Sequence, residues 1–292
     1  MKIKTALFTA ASLLAALAVA EAAKVERETL AVWDRYVAWT EHRMRTDIGE
    51  RDSFLVQDAL PEELARQARR TLRAGDVFST KLETTADGRS IDIPKGLVHH
   101  WLGSVFIPGT TVDELVGWLQ DYDEHHRYFD EVESSRLVSR DGDDFKIFLR
   151  LRRKKVVTVH YNTEHFVRYT RHGGDRMSSA SYATRIAEID DAGTATESEK
   201  AFGDDRGFLW RLNSYWRFEP AWGGVIVELE SVSLSRGVPV AVRWLVGGYL
   251  DSVPRESLEA TLGPIQRGQR GAPNLLLTDE GKKGLEVANR TQ

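Results

Sequence analysis

The sequence contains no cysteine, which excludes structural disulfides, thiolate-bound metals, cysteine nucleophiles and a lipid-modified N-terminal cysteine. That absence does not by itself set the compartment. A basic excess is also missing: 40 Lys and Arg stand against 44 Asp and Glu, a formal charge of -4. Nucleic acid is therefore not an expected partner, because phosphate-binding domains carry clustered positive charge. There is no phosphate loop, dinucleotide fingerprint, HExxH or nucleophile elbow, no internal repeat and no low-complexity stretch. After the first twenty residues no segment is apolar enough to span a bilayer.

What is present begins at the N-terminus. Lys2 and Lys4 precede an apolar run from Ala6 to Ala20, and Ala18-Val19-Ala20 has the small-x-small form of a cleavage site. Residues 1–22 are read as a signal peptide cut after Ala20 or Ala22, so the mature protein is expected in the periplasm or secreted. Roughly 180 to 240 residues are left for one large domain, or a domain with a helical extension. The hydrophobic fraction of 41% and charged fraction of 29% fit an ordinary globular protein.

Residues 23–93 read as an N-terminal helical segment. Leu30, Trp33, Val37 and Met44 recur at near-helical spacing, and a second helix starts near Pro61 with Leu64, Ala68 and Leu72 on one face. Asp87-Gly88 marks a hairpin turn. From Gly96 the period changes. Leu97–Ile107 reads as a strand, and Thr110 or Thr111 caps a following helix whose apolar face is Val112, Leu115, Val116, Leu119 and Tyr122. An antiparallel meander follows, with turns at Arg140–Asp143, Arg171–Asp175, Asp190–Gly193 and Glu219–Gly224. Residues 239–266 are mostly helical, and 271–292 read as a flexible tail. The order predicts an α+β helix-grip fold: a curved antiparallel sheet wrapped on a long C-terminal helix that covers it only partly.

Several segments carry a family resemblance. Ser231–Pro239 followed by Trp244, Pro254–Leu258 and Leu262 is similar to the last strand and grip helix of the START-like, or polyketide-cyclase-like (SRPBCC), superfamily. Tyr161–His165, Thr184–Glu188 and Gly207–Arg217 resemble an uncharacterised group of exported bacterial members. The resemblance covers residues 96–266, the START-like domain being placed at 94–270. It implies a pocket between sheet and C-terminal helix and, as partner, a hydrophobic small molecule or lipid; it does not imply a particular ligand.

Alternation along the strand puts His165 on the face of Val157, Val159, Tyr161, Thr163 and Val167, the apolar and hence inward face. His165 could fix a ligand carbonyl or move a proton; the plainer reading is a core histidine bonded to a neighbouring strand. The expected ligand-binding residues are Tyr161, Thr163, His165, Trp210, Leu212, Ser214, Trp216 and Tyr249, with Ser231 and Ser233 as further inward hydroxyls. Arg211, Arg217, Glu228 and Glu230 face the other way and are expected to form ion pairs on a convex, solvated surface. Arg185 is either solvated or turned inward onto a headgroup. The basic run at Arg150, Arg152, Arg153, Lys154 and Lys155 is read as a solvated loop, with transient docking on an anionic membrane as its functional alternative. Neither His99-His100 nor the acidic and histidine-rich stretch at 121–126 has metal-ligand spacing, so no metal and no cofactor are expected.

Three functions compete. The first is an exported carrier of a hydrophobic molecule. The second is a cyclase- or hydratase-like enzyme using the same pocket. The third is an interaction module with a collapsed pocket, which would be favoured by exposed Trp33 and Trp39.

Overall fold

A computed structural model describes residues 27–48, 53–154, 158–201, 203–237 and 255–266. The segments expected as signal peptide (1–22) and tail (271–292), Lys155, Tyr249 and the first part of the expected C-terminal helical stretch lie outside the described residues.

Helix α1 (27–48) is followed by a short 3-10 turn (Val56–Ala59), α2 (Glu62–Ala74), strand β1 (Phe78–Lys81) and the hairpin β2 (Thr85–Ala86) and β3 (Arg89–Ser90). The hairpin turns at Asp87-Gly88, both with positive φ, as the turn type requires. Strand β4 (Gly96–Pro108) leads into α3 (Val112–Leu119), α4 (His125–Tyr128) and then β5 (Val132–Asp141), β6 (Asp144–Lys154), β7 (Thr158–His172), β8 (Arg176–Asp190), β9 (Ser198–Glu199), β10 (Arg211–Ala221) and β11 (Gly224–Arg236). Helix α5 (255–266) follows. Thr111 starts α3 with a reciprocal capping box: the Glu114 N–H donates to the Thr111 hydroxyl, and the Glu114 carboxylate accepts from the Thr111 N–H at 2.9 Å.

Nine strands make one antiparallel sheet in the order β1-β4-β11-β10-β8-β7-β6-β5, with β9 added beside β8. Strand β11, last in sequence, lies between β10 and β4 and pairs with β4 from Gly224↔Pro108 to Arg236↔Gly96. The β10–β11 connection is tighter than expected. Pairing continues to Ala221↔Gly224, and only Trp222-Gly223 turns the chain, both at positive φ.

The inner face of this sheet meets α3 and α5. Val105, Ile107, Phe145, Val167, Tyr169, Met177, Phe218, Val225 and Val227 pack there with Leu115, Leu119, Leu258, Leu262 and Ile265. Gly103 sets the approach of α5, because a Cβ at that position would lie 2.7 Å from Leu262 Cδ1 and 2.9 Å from Leu258 Cγ. Polar links hold the helix across the sheet: Ser79 Oγ donates to Glu259 at 2.8 Å, Ser257 Oγ to Glu131 at 3.1 Å, and the Gln266 amide to the Gly75 carbonyl at 2.8 Å. This is the α+β helix-grip arrangement.

The outer face is not the solvated surface that its charges suggest. Helix α1 lays Val32, Trp33, Tyr36 and Met44 over Tyr215, Val232 and Leu234. The segment at Phe54-Leu55 and α2 cover Phe78 and Ile226. Beneath this cover Arg217, Glu228 and Glu230 are 3%, 1% and 1% exposed, whereas Arg211, nearer the end of β10, is half-buried. The expectation of ion pairs in solvent is corrected: the ions are paired, but buried. Trp33 is likewise buried, and only Trp39 is exposed, so the tryptophan criterion for a partner surface on α1 is not met at Trp33.

Candidate functional site

The register sets the inner-face floor. Ser214 on β10 stands between Ser181 on β8 and Ser231 on β11. One level along, Leu212 pairs with Ser233 and His165 with Ala183; in the other direction Trp216 lies between Ser179 and Leu229. Ser181, Leu212, Ser214, Trp216, Ser231 and Ser233 are all only half-buried. Their outward neighbours Asn213, Tyr215, Glu230 and Val232 are 8%, 6%, 1% and 0% exposed. On β10 and β11, therefore, solvent reaches these inner-face side chains and not the outer-face ones between them, whereas on β8 the outward Ala180 and Tyr182 are half-buried like the inward Ser181.

His165 sits at the margin of this floor. Thr163 Oγ1 donates to the Leu149 carbonyl at 3.0 Å, so its remaining contact, at 2.9 Å, is with a hydrogen carried on His165 Nε2. Nδ1 is then the acceptor, with Ser181 Oγ 3.5 Å away. Burial pushes the imidazole down to about 4. The ring is neutral at physiological pH and offers a lone pair rather than a proton.

Tyr161, one pair further along β7, is buried, and its hydroxyl has no hydrogen-bond partner. Burial raises its pKa well above the ordinary phenol range, with Glu188 and Asp205 adding to the shift. The indole N–H of Trp101 on β4 is a second buried donor without a partner. Glu188 lies directly opposite Tyr161 and accepts from the Arg206 N–H at 3.0 Å; Lys200 Nζ is 3.4 Å and Arg206 Nε 3.5 Å from its carboxylate.

Alternation did not mark Glu188 as inward. The register slips between Glu164 and His165, leaving Thr184 as an extra residue in β8. Past that bulge Ile186 and Glu188 face inward and Arg185 faces outward. Arg185 is accordingly exposed and forms an ion pair with Glu199. No local composition signal announces the bulge.

Of the expected ligand-binding residues, Tyr161, Thr163, His165, Leu212, Ser214 and Trp216 share the inner face. Trp216 stacks parallel to Phe218 with centroids 6.2 Å apart. Trp210 does not join them. It precedes β10, packs against the α1 cluster and donates its indole N–H to Asp205 at 3.0 Å. Among the described residues no group of three or more metal-ligating side chains is assembled, and His99 and His100 face opposite ways, toward Ser235 and Glu230. The basic run is largely paired: Arg150 with Glu133 and Glu197, Arg152 with Glu133, and Arg153 with Glu131. Two cavities lined by described residues, of about 240 and 140 Å³, lie beside α1 and not on the inner face.

No family model matches the chain, and no curated protein does. Among solved structures it is similar to a STAR-related lipid transfer protein from Xanthomonas axonopodis, with 15% identity, 66% of this chain and 98% of that chain covered, and a TM-score of 0.41. It is also similar to human STARD10, with 9% identity, 74% and 82% covered, and a TM-score of 0.42. A third similar structure is the Zhui aromatase/cyclase from Streptomyces sp. R1128, with 11% identity, 60% and 95% covered, and a TM-score of 0.37. Identities and TM-scores this low leave the functional reading to the geometry of the inner face, and the likeness is one to START and aromatase/cyclase structures.

Proposed function

We infer that this protein is an exported binder or carrier of a hydrophobic small molecule or lipid, held between the inner face of the sheet and the C-terminal helical stretch. One observation carries the reading: at the centre of β10 and β11 the inner-face side chains Leu212, Ser214, Trp216, Ser231 and Ser233 keep solvent access while the outer-face side chains between them are sealed. Side chains left reachable on an otherwise apolar face are the ones that a guest would cover. Affinity would come from apolar area removed from water, at about 25 cal/mol per Å² before ordering costs. The enzyme reading is supported less. His165, with its pKa near 4, is a neutral ring and a weak base, and its Nε2 hydrogen is engaged by Thr163.

Native mass spectrometry of the protein taken from the cell envelope tests this. An apolar adduct is expected on the wild type and is expected to be lost in Ser214→Trp, whose indole fills the floor, with melting unchanged to within a few degrees. A wild-type protein that carries no adduct and takes up no fluorescent fatty-acid probe after delipidation would remove the reading. Export is tested separately, by the N-terminus of the periplasmic or secreted protein, expected at Glu21 or Ala23.

A further inference from the structure

We propose that the guest is an uncharged, oxygen-bearing hydrophobe, with alcohol, ketone or ester oxygens spread along its length, rather than a lipid with a single charged head. The inference rests on the binding reading above and names its ligand class.

The first observation is the hydroxyl array. Ser181, Ser214 and Ser231 stand side by side at one level across three adjacent strands. Strand spacing puts neighbouring Cα positions about 5 Å apart, so the row offers polar points over roughly 10 Å. Among the described residues, the hydroxyls of Ser214, Ser231 and Ser233 have no hydrogen-bond partner, and all three are half-buried. A hydroxyl donates and accepts, so such a row suits neutral oxygens of either kind.

The second observation is charge. Among the described residues, no inner-face position of β4, β10 or β11 carries Lys, Arg, Asp or Glu. Glu188, the inward carboxylate near the row, already has Lys200 and Arg206 beside it. A phosphate or carboxylate laid on this floor would leave water without a counter-ion, which costs more than hydroxyls return.

The third observation is the pair of idle donors. The Tyr161 hydroxyl and the Trp101 indole N–H are buried on the inner face with no partner. Each leaves a loss that a guest carbonyl would recover. His165 Nδ1 supplies the complementary lone pair for a guest hydroxyl.

The test uses full-length protein from the envelope, delipidated, with three probes titrated by tryptophan fluorescence and by competition: hydrocortisone (neutral, with oxygens along its skeleton), palmitate, and phosphatidylglycerol vesicles. Hydrocortisone is expected to bind at least about tenfold more tightly than palmitate. The triple variant Ser181→Ala, Ser214→Ala, Ser231→Ala is expected to lose about tenfold or more for hydrocortisone and little for palmitate, as three modest hydrogen bonds predict. Ser231→Arg, which places a cation on the floor, is expected to reverse the preference. Palmitate or phosphatidylglycerol binding as tightly as hydrocortisone to the wild type overturns the ligand class and leaves the binding reading standing. So does a triple variant with unchanged hydrocortisone affinity. Failure of all three probes to bind overturns the ligand class, and overturns the binding reading as well where native mass spectrometry shows no adduct on the wild type.

Discussion

Arg217 and Glu228 stand directly opposite each other on β10 and β11, with Nη1 and Oε1 3.7 Å apart and side chains 4% and 1% exposed. Together they hold the strap at Phe54–Gln57 against the sheet. Arg217 donates to the Phe54 carbonyl at 3.0 Å, and the two oxygens of Glu228 accept the N–H groups of Val56 and Gln57 at 2.8 and 2.9 Å. The pair therefore satisfies three backbone groups that the strap buries. Removing one partner leaves the other charge buried and alone, at a cost of about 3–5 kcal/mol. Arg217→Met is expected to show that loss in chemical denaturation. It is also expected to accelerate amide exchange at Val56 and Gln57 well before the strands exchange. Unchanged protection at those two amides would show that the strap is held by its apolar contacts instead.

Glu228 also makes stability depend on pH. Burial, with Glu230 near it on the same face, pushes its carboxyl up to about 7 from 4.5. The folded state thus holds that proton more tightly than the unfolded state. The contribution is fully present below pH 4.5 and is lost as the pH rises through 7, by an amount on the order of 3 kcal/mol. Glu228→Gln is expected to flatten this part of the stability curve, whatever it does to the absolute value, since its single amide oxygen cannot accept both strap amides. Denaturation midpoints at pH 5, 6, 7 and 8 for both proteins check the slope, and equal slopes would place the titration elsewhere.

His165 acts in the opposite sense. Its folded pKa lies near 4, below the ordinary 6.5, because burial disfavours the charged ring. Its contribution is present above pH 6.5 and is lost as the pH falls from 6.5 toward 4, again on the order of 3 kcal/mol. His165→Gln is expected to remove that acid-side loss and to keep a donor for Thr163. Carbon-13 or proton shifts of the ring in a pH titration give a direct reading. A ring that titrates near 6.5 in the folded protein would contradict the burial of this site.

Much of this architecture is legible from residue order, and the exceptions have physical causes. Strand alternation, the Asp87-Gly88 and Gly173-Gly174 turns and the Thr111 cap are local signals, and the structure carries each of them. Alternation separates two faces but does not say which one is covered. Arg217, Glu228 and Glu230 look solvated from their own strands because the groups that bury them lie more than 160 residues away, in α1 and the strap. Glu230 meets Arg43 and His100 there, and His100 in turn meets the Tyr36 hydroxyl at 2.9 Å. Alternation assigns the inner face correctly where β7 and β10 are regular. It fails at Glu188, beyond the Thr184 bulge, and at Trp210, which comes before β10 pairs.

Gly103 offers the sharpest test of how the helix grips the sheet. Its partner on β11 is Leu229, and α5 presses Leu258 and Leu262 onto the bare backbone at this position. Residues on strands adopt this extended conformation readily, so Gly103→Ala carries no backbone penalty and gains the usual advantage over glycine in a strand. The added methyl nevertheless meets buried side chains, 3% and 0% exposed, at less than van der Waals distance. Overpacking of this kind costs about 1–3 kcal/mol. The least costly relief is for α5 to lift, since it is held by a few polar links at its ends rather than by a ladder. Gly103→Ala is therefore expected to lower the melting temperature by several degrees, to speed amide exchange in α5 ahead of β4, and to weaken guest binding, because the helix and the sheet bound the same space. A variant that melts like the wild type and binds unchanged would mean that α5 does not rest on β4 at Gly103.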